Sequence, residues 1–426
     1  MRITRPSLAV LALLTAGPAT AGGFQVNLAA AKNIGMGHVG TGLALDQGSI
    51  FFNPGALAFV QTRGVQLGVA GAMARTAYRN DATGQDFAFK HPLATPLNIY
   101  AAFGPKGEGE LPGKWAAGIG IYTPFGATLD YGSAWTGNRS LTKITLLAGF
   151  IQPTVSYRVT DWLGIGGGFV LGVGYVNLQR DLPITNQTGT APAIKLESES
   201  PARGYGFNAG IYLKPADMVS VGVTYRSRVD MKVTGGKVTL SNLPADPRIR
   251  AGFTATEFDA TLPLPSSLNV GIGITPTDKL TIGFDANFTN WSAYKSLDFK
   301  FNGPVGGSTT SSSIRRYEDS YTLRAGGQYR VLDALTVRVG GYYDLSPVRD
   351  GYVTPETPDA NRYAATTGAS VHLGEKVDLD FAYEFLSFKK RSQTQAELVA
   401  NHTTDRVAGT YQTYINVAAI GVHYKF

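Results

Sequence analysis

Three glycines near the start of the chain have the spacing of a phosphate-binding loop. Gly35, Gly37 and Gly40 read G-x-G-x-x-G, a pattern that cradles a pyrophosphate when a buried strand enters it and a helix follows it. What precedes them is instead a pair of arginines, an apolar run over 8–14 and a small-residue site ending at Ala21, which predicts a cleaved secretory signal peptide over residues 1–21. The mature chain then has no room for the required strand, so we exclude a nucleotide site.

The histidines are dispersed along the chain, and neither G-x-S-x-G nor H-E-x-x-H occurs. Ser370 and His372 share one face of a strand, which leaves an outer-membrane hydrolase as a rival interpretation. Two residues at this spacing are common on any strand. We therefore predict no catalytic residue, no metal site and no cofactor.

Composition favours strands over helices. The 426 residues include 52 glycines, 21 tyrosines and 21 phenylalanines, and only 16% are charged, as expected for many short strands with aromatic ends. The net charge of +7 is spread without a basic run, so nucleic acid is not an expected partner. The absence of cysteine excludes disulfides and a lipid-modified cysteine.

A hairpin pattern recurs along the chain. In one example Leu268, Val270, Ile272 and Ile274 alternate with polar and glycine residues, and the alternation resumes after a tight turn at 276–279. A soluble β-sandwich would show the same alternation. The lengths of the connections between strands distinguish it from a membrane barrel. Tight turns alternate with long polar connections, as in a transmembrane β-barrel; these connections cover about 124–143, 178–203, 228–266, 291–319, 345–362 and 388–412.

Counting strands, including those at about 63–78, 87–103 and 115–123, gives about 14, an even number as bacterial barrels have. The predicted fold is thus an all-β membrane protein, a 14-stranded antiparallel transmembrane β-barrel over residues 63–426. Residues 22–62 precede the first strand and are predicted to form a hatch inside the lumen. The last strand ends on the aromatic Phe426, which we interpret as a signal to the barrel-assembly machinery.

Several segments, in order along the mature chain, resemble the FadL/TodX type of outer-membrane transporter for long-chain fatty acids and other hydrophobic compounds. They include GFQ at 23–25, ALDQGS at 44–49 followed by NPGAL at 53–57, LPLPSSLNVGIGITPTDKLTIGFDANFTNW at 262–291 and PDANRY at 358–363. The resemblance implies a 14-stranded barrel with an N-terminal hatch. It also implies passive transport, with ligand leaving sideways through a gap caused by a kink in the third strand.

Two groups of residues acquire roles from this resemblance. A proline breaks strand pairing because it lacks an N–H group, so Pro124, Phe125 and Gly126 are candidates for the lateral exit; alternatively, Pro124 only ends the strand. The candidates for the hatch and its gating are Phe24, Asn53, Pro54 and Gly55.

A fatty acid needs a cation for its carboxylate, since an unpaired charge in an apolar pocket is costly. The first candidates are Arg315 and Arg316, and the second are Arg139 and Lys143. The predicted function is uptake of long-chain fatty acids across the outer membrane of a Gram-negative bacterium, with outer-membrane lipid and lipopolysaccharide as surroundings. Uptake of monoaromatic or other neutral hydrocarbons is the alternative, and a general porin is a further rival.

Overall fold

The computed structural model describes residues 22–60, 63–90, 93–104, 114–185, 189–403 and 406–426. The expected signal peptide, residues 1–21, lies outside these ranges. A single sheet contains 22 strand segments: β1 (Gly64–Asn80), β2 (Gln85–Ala88), β3 (Leu93–Ala94), β4 (Leu97–Phe103), β5 (Trp115–Asp130), β6 (Lys143–Arg158), β7 (Leu163–Asp181), β8 (Ala193–Glu197), β9 (Ala202–Ala216), β10 (Val219–Arg226), β11 (Val229–Ser241), β12 (Glu257–Leu264), β13 (Ser267–Thr277), β14 (Leu280–Thr289), β15 (Ser296–Val305), β16 (Ser308–Ile314), β17 (Ser320–Leu332), β18 (Leu335–Asp344), β19 (Arg362–Leu373), β20 (Val377–Phe388), β21 (Arg391–Gln393) and β22 (Gly409–Lys425).

The helices are short. They are α1 (Ala31–Gly35), α2 (Ser49–Phe52), α3 (Pro247–Ala251) and α4 (Gln395–Ala400), with 3₁₀ helices at Pro54–Phe59 and Trp291–Ala293. Among the described residues, no helix has the length and apolar character needed to span a membrane.

The sheet closes into a barrel because its first and last long strands pair over nearly their whole lengths, from Gly64↔Lys425 to Arg79↔Thr410. The circuit of antiparallel neighbours runs through β1, β4, β5, β6, β7, β9, β10, β13, β14, β17, β18, β19, β20 and β22. A closed all-β barrel was expected. The expected total of 14 strands does not describe the whole sheet, since shorter segments such as β8, β11, β12, β15 and β16 are hydrogen-bonded to the circuit.

The alternation predicted from the sequence separates the two faces of the barrel wall. On β22, Ile420, Val422 and Tyr424 are exposed, whereas His423 between them is only 1% exposed. Leu268, Val270 and Ile272 of β13 are exposed in the same way. An outer surface covered with large apolar side chains is unfavourable in water and stable in lipid.

The structure corrects several predicted boundaries. The strand expected at 115–123 continues to Asp130, so Pro124 lies within β5. The strand expected over 87–103 is divided into β2, β3 and β4. The connections expected at 228–266 and 291–319 contain the paired strands β11, β12, β15 and β16, because polar Ser- and Thr-rich segments also form strands when neighbouring strands satisfy their backbone.

Residues 22–60, here called the N-terminal segment, touch strands on both sides of the barrel. The helix α1 contacts β18, β19, β20 and β22, whereas the 3₁₀ helix Pro54–Phe59 contacts β5, β6, β7, β9 and β10. Glycines in the wall make the approach possible. A Cβ atom at Gly222 would lie 1.8 Å from the carbonyl oxygen of Thr41, and one at Gly326 would lie 2.0 Å from that of Met36, so only glycine fits at these two contacts.

Candidate ligand-binding site

A cavity of about 820 Å³ opens between the N-terminal segment and strands on one side of the barrel. We call it the inner cavity. Its wall is mostly aliphatic and aromatic; the lining includes Phe24, Ile144, Leu146, Val176, Leu178, Met231, Leu262, Tyr294, Leu297, Phe299, Arg315 and Glu356. This apolar character suits an apolar chain, because ligand sites are typically apolar cavities with few polar groups.

Arg315 is the buried cation of the inner cavity. It follows β16 and is only 3% exposed. Its Nη2 lies 3.4 Å from the Glu356 carboxylate, and its guanidinium lies 5.9 Å from the centre of the Tyr294 ring. Among the described residues, its Nε and Nη1 have no hydrogen-bond partner.

The charge of Arg315 is maintained despite burial. Burial alone would lower the pKa of its guanidinium, but Tyr294 and Glu356 raise that pKa above its ordinary value. An apolar cavity therefore ends at a cation with unused N–H donors, and an ionised acceptor would make strong hydrogen bonds there.

A second cavity of about 720 Å³, the outer cavity, lies among the long connections. Its lining is more polar and includes Arg180, Ser311, Ser312, Ser313, Arg406 and also Arg315 and Glu356. The two cavities share this ion pair. A molecule passing from the outer to the inner cavity would therefore meet the Arg315–Glu356 contact.

Phe24 of the N-terminal segment also lines the inner cavity. Its ring centre lies 5.9 Å from that of Phe125, 5.0 Å from that of Trp291 and 5.7 Å from that of Tyr294. Since the Trp291 and Tyr294 rings meet Phe24 edge-on, the favourable geometry for aromatic pairs, the cluster holds Phe24 in place.

Backbone contacts fix the chain around Phe24. The N–H groups of Gly22 and Gly23 donate to the carboxylates of Asp344 and Asp359, each at 3.1 Å. Arg362 forms ion pairs with both of these carboxylates. The start of the N-terminal segment is thus bound at a buried charged cluster.

The wall is irregular beside Phe24. Tyr122 pairs with Phe150 of β6 but Phe125 pairs with Ala148, so β5 carries one extra residue in a bulge that includes Pro124. On its other edge the pairing of β5 with β4 ends at Tyr122. Beyond that point Gln25 bridges to Phe125, and the Gly126 N–H donates to the Phe24 carbonyl at 3.0 Å.

The predicted gating residues lie where the N-terminal segment meets the wall. The Asn53 side chain accepts a hydrogen bond from the Gly55 N–H at 2.9 Å, and donates to the carbonyls of Thr41 at 2.8 Å and Ile211 at 3.0 Å. Pro54 starts the 3₁₀ helix, where its missing N–H is not needed. Asn53 therefore links three backbone segments, one of them in β9.

The remaining cation candidates lie away from the inner cavity. Arg316 is exposed, and its guanidinium donates to the Tyr352 hydroxyl at 3.4 Å. Arg139 is exposed, and the Lys143 ammonium lies 3.9 Å from Asp130. None of these three lines the cavity that contains Arg315.

Two further residues singled out in the sequence have separate surroundings. Ser370 donates to Asp380, whereas His372 bonds to Asp378 at 2.8 Å and to Thr336 at 2.9 Å, so they form no Ser–His pair. Phe426 is exposed at the end of the wall, with its ring 5.9 Å from that of Phe103.

The sequence analysis did not identify Trp291, Tyr294 or Glu356. Trp291 and Tyr294 flank the short 3₁₀ helix after β14, and a cluster of two aromatic residues in a polar connection was an available signal. Glu356 lies 41 residues beyond Arg315, as the ion pair joins two separate connections, and local spacing carries no sign of it.

Comparison with known proteins agrees with this architecture. The family described as outer membrane protein transport protein (OMPP1/FadL/TodX) matches residues 12–426. Outer membrane protein P1 of Haemophilus influenzae is 24% identical and the alignment covers 98% of each chain. A long-chain fatty acid transport protein of Escherichia coli is 23% identical over 94% of each chain. A crystal structure of a Pseudomonas aeruginosa FadL homologue shares the fold, with a TM-score of 0.78, 20% identity and coverage of 95% of this chain and 100% of that one. This chain therefore belongs to the OMPP1/FadL/TodX family of outer membrane transport proteins.

Proposed function

We propose that this protein carries long-chain fatty acids passively across the outer membrane. The observation that supports this substrate is Arg315, a buried cation with two unused nitrogen donors at one end of an apolar cavity. A fatty acid matches this arrangement of charge and apolar surface, since it has one carboxylate and a long apolar chain. The related E. coli protein is named a long-chain fatty acid transport protein, which favours the same substrate class.

In this proposal the 14 strands of the closed circuit cross the membrane, and residues 22–62 act as a hatch. The burial of the N-terminal segment and its contacts with strands on both sides of the barrel support this role. A plugged lumen argues against a general porin, which needs an open aqueous path. No enzymatic step is involved.

The transport path has four steps. Ligand is captured at the outer cavity and at the connections that follow β5 and β7, then passes the Arg315–Glu356 contact into the inner cavity. Movement of Phe24 releases it toward the bulge at Pro124, Phe125 and Gly126. Exit through the wall into the membrane spares the apolar chain an aqueous step, so no energy source is required.

Uptake of a neutral hydrocarbon is the second candidate. Glu356 lies 3.4 Å from Arg315 and already balances its charge, and the rest of the inner cavity is largely apolar. If the ion pair stays closed during transport, the cavity accepts monoaromatic or other neutral compounds as readily as fatty acids.

Direct binding distinguishes the two candidates. Purified protein in detergent is titrated with oleate and with toluene, using the native chain and the variants Arg315→Gln and Arg316→Gln. Arg316→Gln is the matched control, since it removes the same charge from the adjacent exposed residue.

For a fatty acid transporter, Arg315→Gln weakens oleate binding about tenfold, as for the loss of a charge-assisted hydrogen bond, and Arg316→Gln leaves it unchanged. Toluene binding is the same in all three proteins. Native protein that binds toluene but not oleate would move the assignment to hydrocarbons. A high, steady single-channel conductance would instead indicate an open porin.

A further inference from the structure

A third cavity, of about 540 Å³, lies directly beside the bulge in β5. We call it the bulge cavity. Its lining is largely polar and includes Gln25, Pro124, Phe125, Arg226, Asn269 and Arg324. Phe24 lines the inner cavity, while its neighbour Gln25 and the adjacent Phe125 line this one. The first residues of the N-terminal segment therefore separate the two cavities.

Arg324 is one of two arginines on this cavity. It belongs to β17 and is only 9% exposed. Among the described residues its side chain makes neither a hydrogen bond nor an ion pair, and its Nε is buried without a partner. A buried guanidinium without an anion is costly, so the site favours an incoming negative charge.

Arg226, at the end of β10, is the second arginine that lines the bulge cavity. Its guanidinium lies 4.4 Å from the centre of the Phe51 ring, and it donates at 3.1 Å both to the Tyr122 hydroxyl and to the Phe51 carbonyl. These partners are all neutral, and no described carboxylate lies within ion-pair distance. The bulge cavity thus presents two arginines, neither of which forms an ion pair with a described carboxylate.

Asp285, on the strand next to Arg324, interacts electrostatically with that arginine but forms no ion pair with it. Asp285 is opposite Arg324 in the register of β14 and β17, but its Oδ2 accepts the N–H groups of Gly40 and Thr41, each at 2.9 Å. The rest of this wall is neutral. Asn269 donates to Thr224 at 3.0 Å, and Thr289 donates to Asn287 at 2.8 Å.

We propose that the bulge cavity is a second site for the carboxylate of an amphiphilic ligand, with Arg226 and Arg324 as its cations. This rests on the proposed function and adds a step to it. After the N-terminal segment moves at Phe24, the carboxylate passes from Arg315 to these two arginines while the apolar chain of the ligand enters the membrane at the bulge. The site keeps the charge solvated by the protein until the chain has left.

The test compares two ligands that share a chain and differ in charge, oleate and methyl oleate. The full-length mature protein is reconstituted in lipid vesicles, and transfer of each ligand from the outside is measured for native protein, Arg324→Gln, Arg226→Gln and Arg324→Lys. Arg330→Gln, an exposed arginine on the same strand, is the matched control. Oleate affinity in detergent is measured for each protein, and heat-dependent gel mobility verifies that each barrel is assembled.

We expect Arg324→Gln and Arg226→Gln to slow oleate transfer about tenfold, the effect of losing a charge-assisted contact. Methyl oleate transfer and oleate affinity stay within twofold of native, and Arg324→Lys restores most of the oleate rate. Unchanged oleate transfer in both glutamine variants overturns the second site, as does an equal loss for both ligands. Native protein that fails to bind oleate at all would instead overturn the proposed function together with this step.

Discussion

The N–H of Val26 donates a hydrogen bond to the carbonyl of Pro124 at 2.7 Å. This contact lies on the edge of β5 beyond the point where β4 stops pairing with it, since the pairing of these two strands ends at Asn98↔Tyr122. The residues around Phe24, which lines the inner cavity, thus also complete the wall at its irregular point. In the proposed mechanism, displacing them both opens the cavity and exposes an unpaired edge.

Removing the Val26 donor tests this coupling. Val26→Pro eliminates the N–H, which costs about 1 kcal/mol and shifts the attached-to-detached ratio about fivefold. We expect faster ligand transfer into vesicles with this variant. Val26→Ala retains the N–H and is the control; if both variants behave alike, side-chain packing rather than the hydrogen bond holds the N-terminal segment against β5.

Trp291 should report the movement of Phe24. The two rings lie 5.0 Å apart and Trp291 is fully buried, so displacement of Phe24 changes the polarity around the indole. In a variant whose other tryptophans, Trp115, Trp135 and Trp162, are replaced by phenylalanine, saturating oleate should shift the emission maximum. An unchanged spectrum despite measured binding would show that Phe24 stays in place.

Asn53→Ala removes three hydrogen bonds, two within the N-terminal segment, with Thr41 and Gly55, and one to Ile211 of β9. At about 1 kcal/mol each, their loss loosens the seat of the 3₁₀ helix, and we expect lower uptake in cells with normal barrel assembly. Uptake and heat-dependent gel mobility are the measurements. Native uptake in this variant would contradict the gating role of Asn53.

Two adjacent glycines in β7 allow a matched pair of substitutions that tests contact with the N-terminal segment. A Cβ at Gly166 would lie 2.3 Å from the Pro54 carbonyl, whereas one at Gly167 would meet only the Asn208 carbonyl at 3.6 Å. Gly166→Val should lower the free energy of unfolding by about 1–3 kcal/mol through overpacking, and Gly167→Val should change it far less. Thermal unfolding followed by circular dichroism measures both; equal destabilisation would mean that contact with the N-terminal segment is not the cause.

The repeated hairpins could be predicted because alternation is a local property. A period of two assigns each side chain to one face whatever the rest of the chain does, so the outward placement of Ile420, Val422 and Tyr424 followed from the sequence. The position of Pro124 within β5 did not follow from the sequence. Whether a proline ends a strand or lies in a bulge depends on which neighbouring N–H group donates to its carbonyl, here that of Val26.

Some features of the candidate site could likewise be predicted from the sequence, and others could not. The sequence by itself determined the all-β class, the two faces of the wall and a short set of cationic candidates. Only the tertiary structure separated Arg315, buried against Glu356 and Tyr294, from its exposed neighbour Arg316. It also brought Arg226 and Arg324 to one cavity. Closure of the sheet determines which of these residues lie close together. It sets the distances between residues that are far apart in the chain, and their local sequence patterns carry no information about one another.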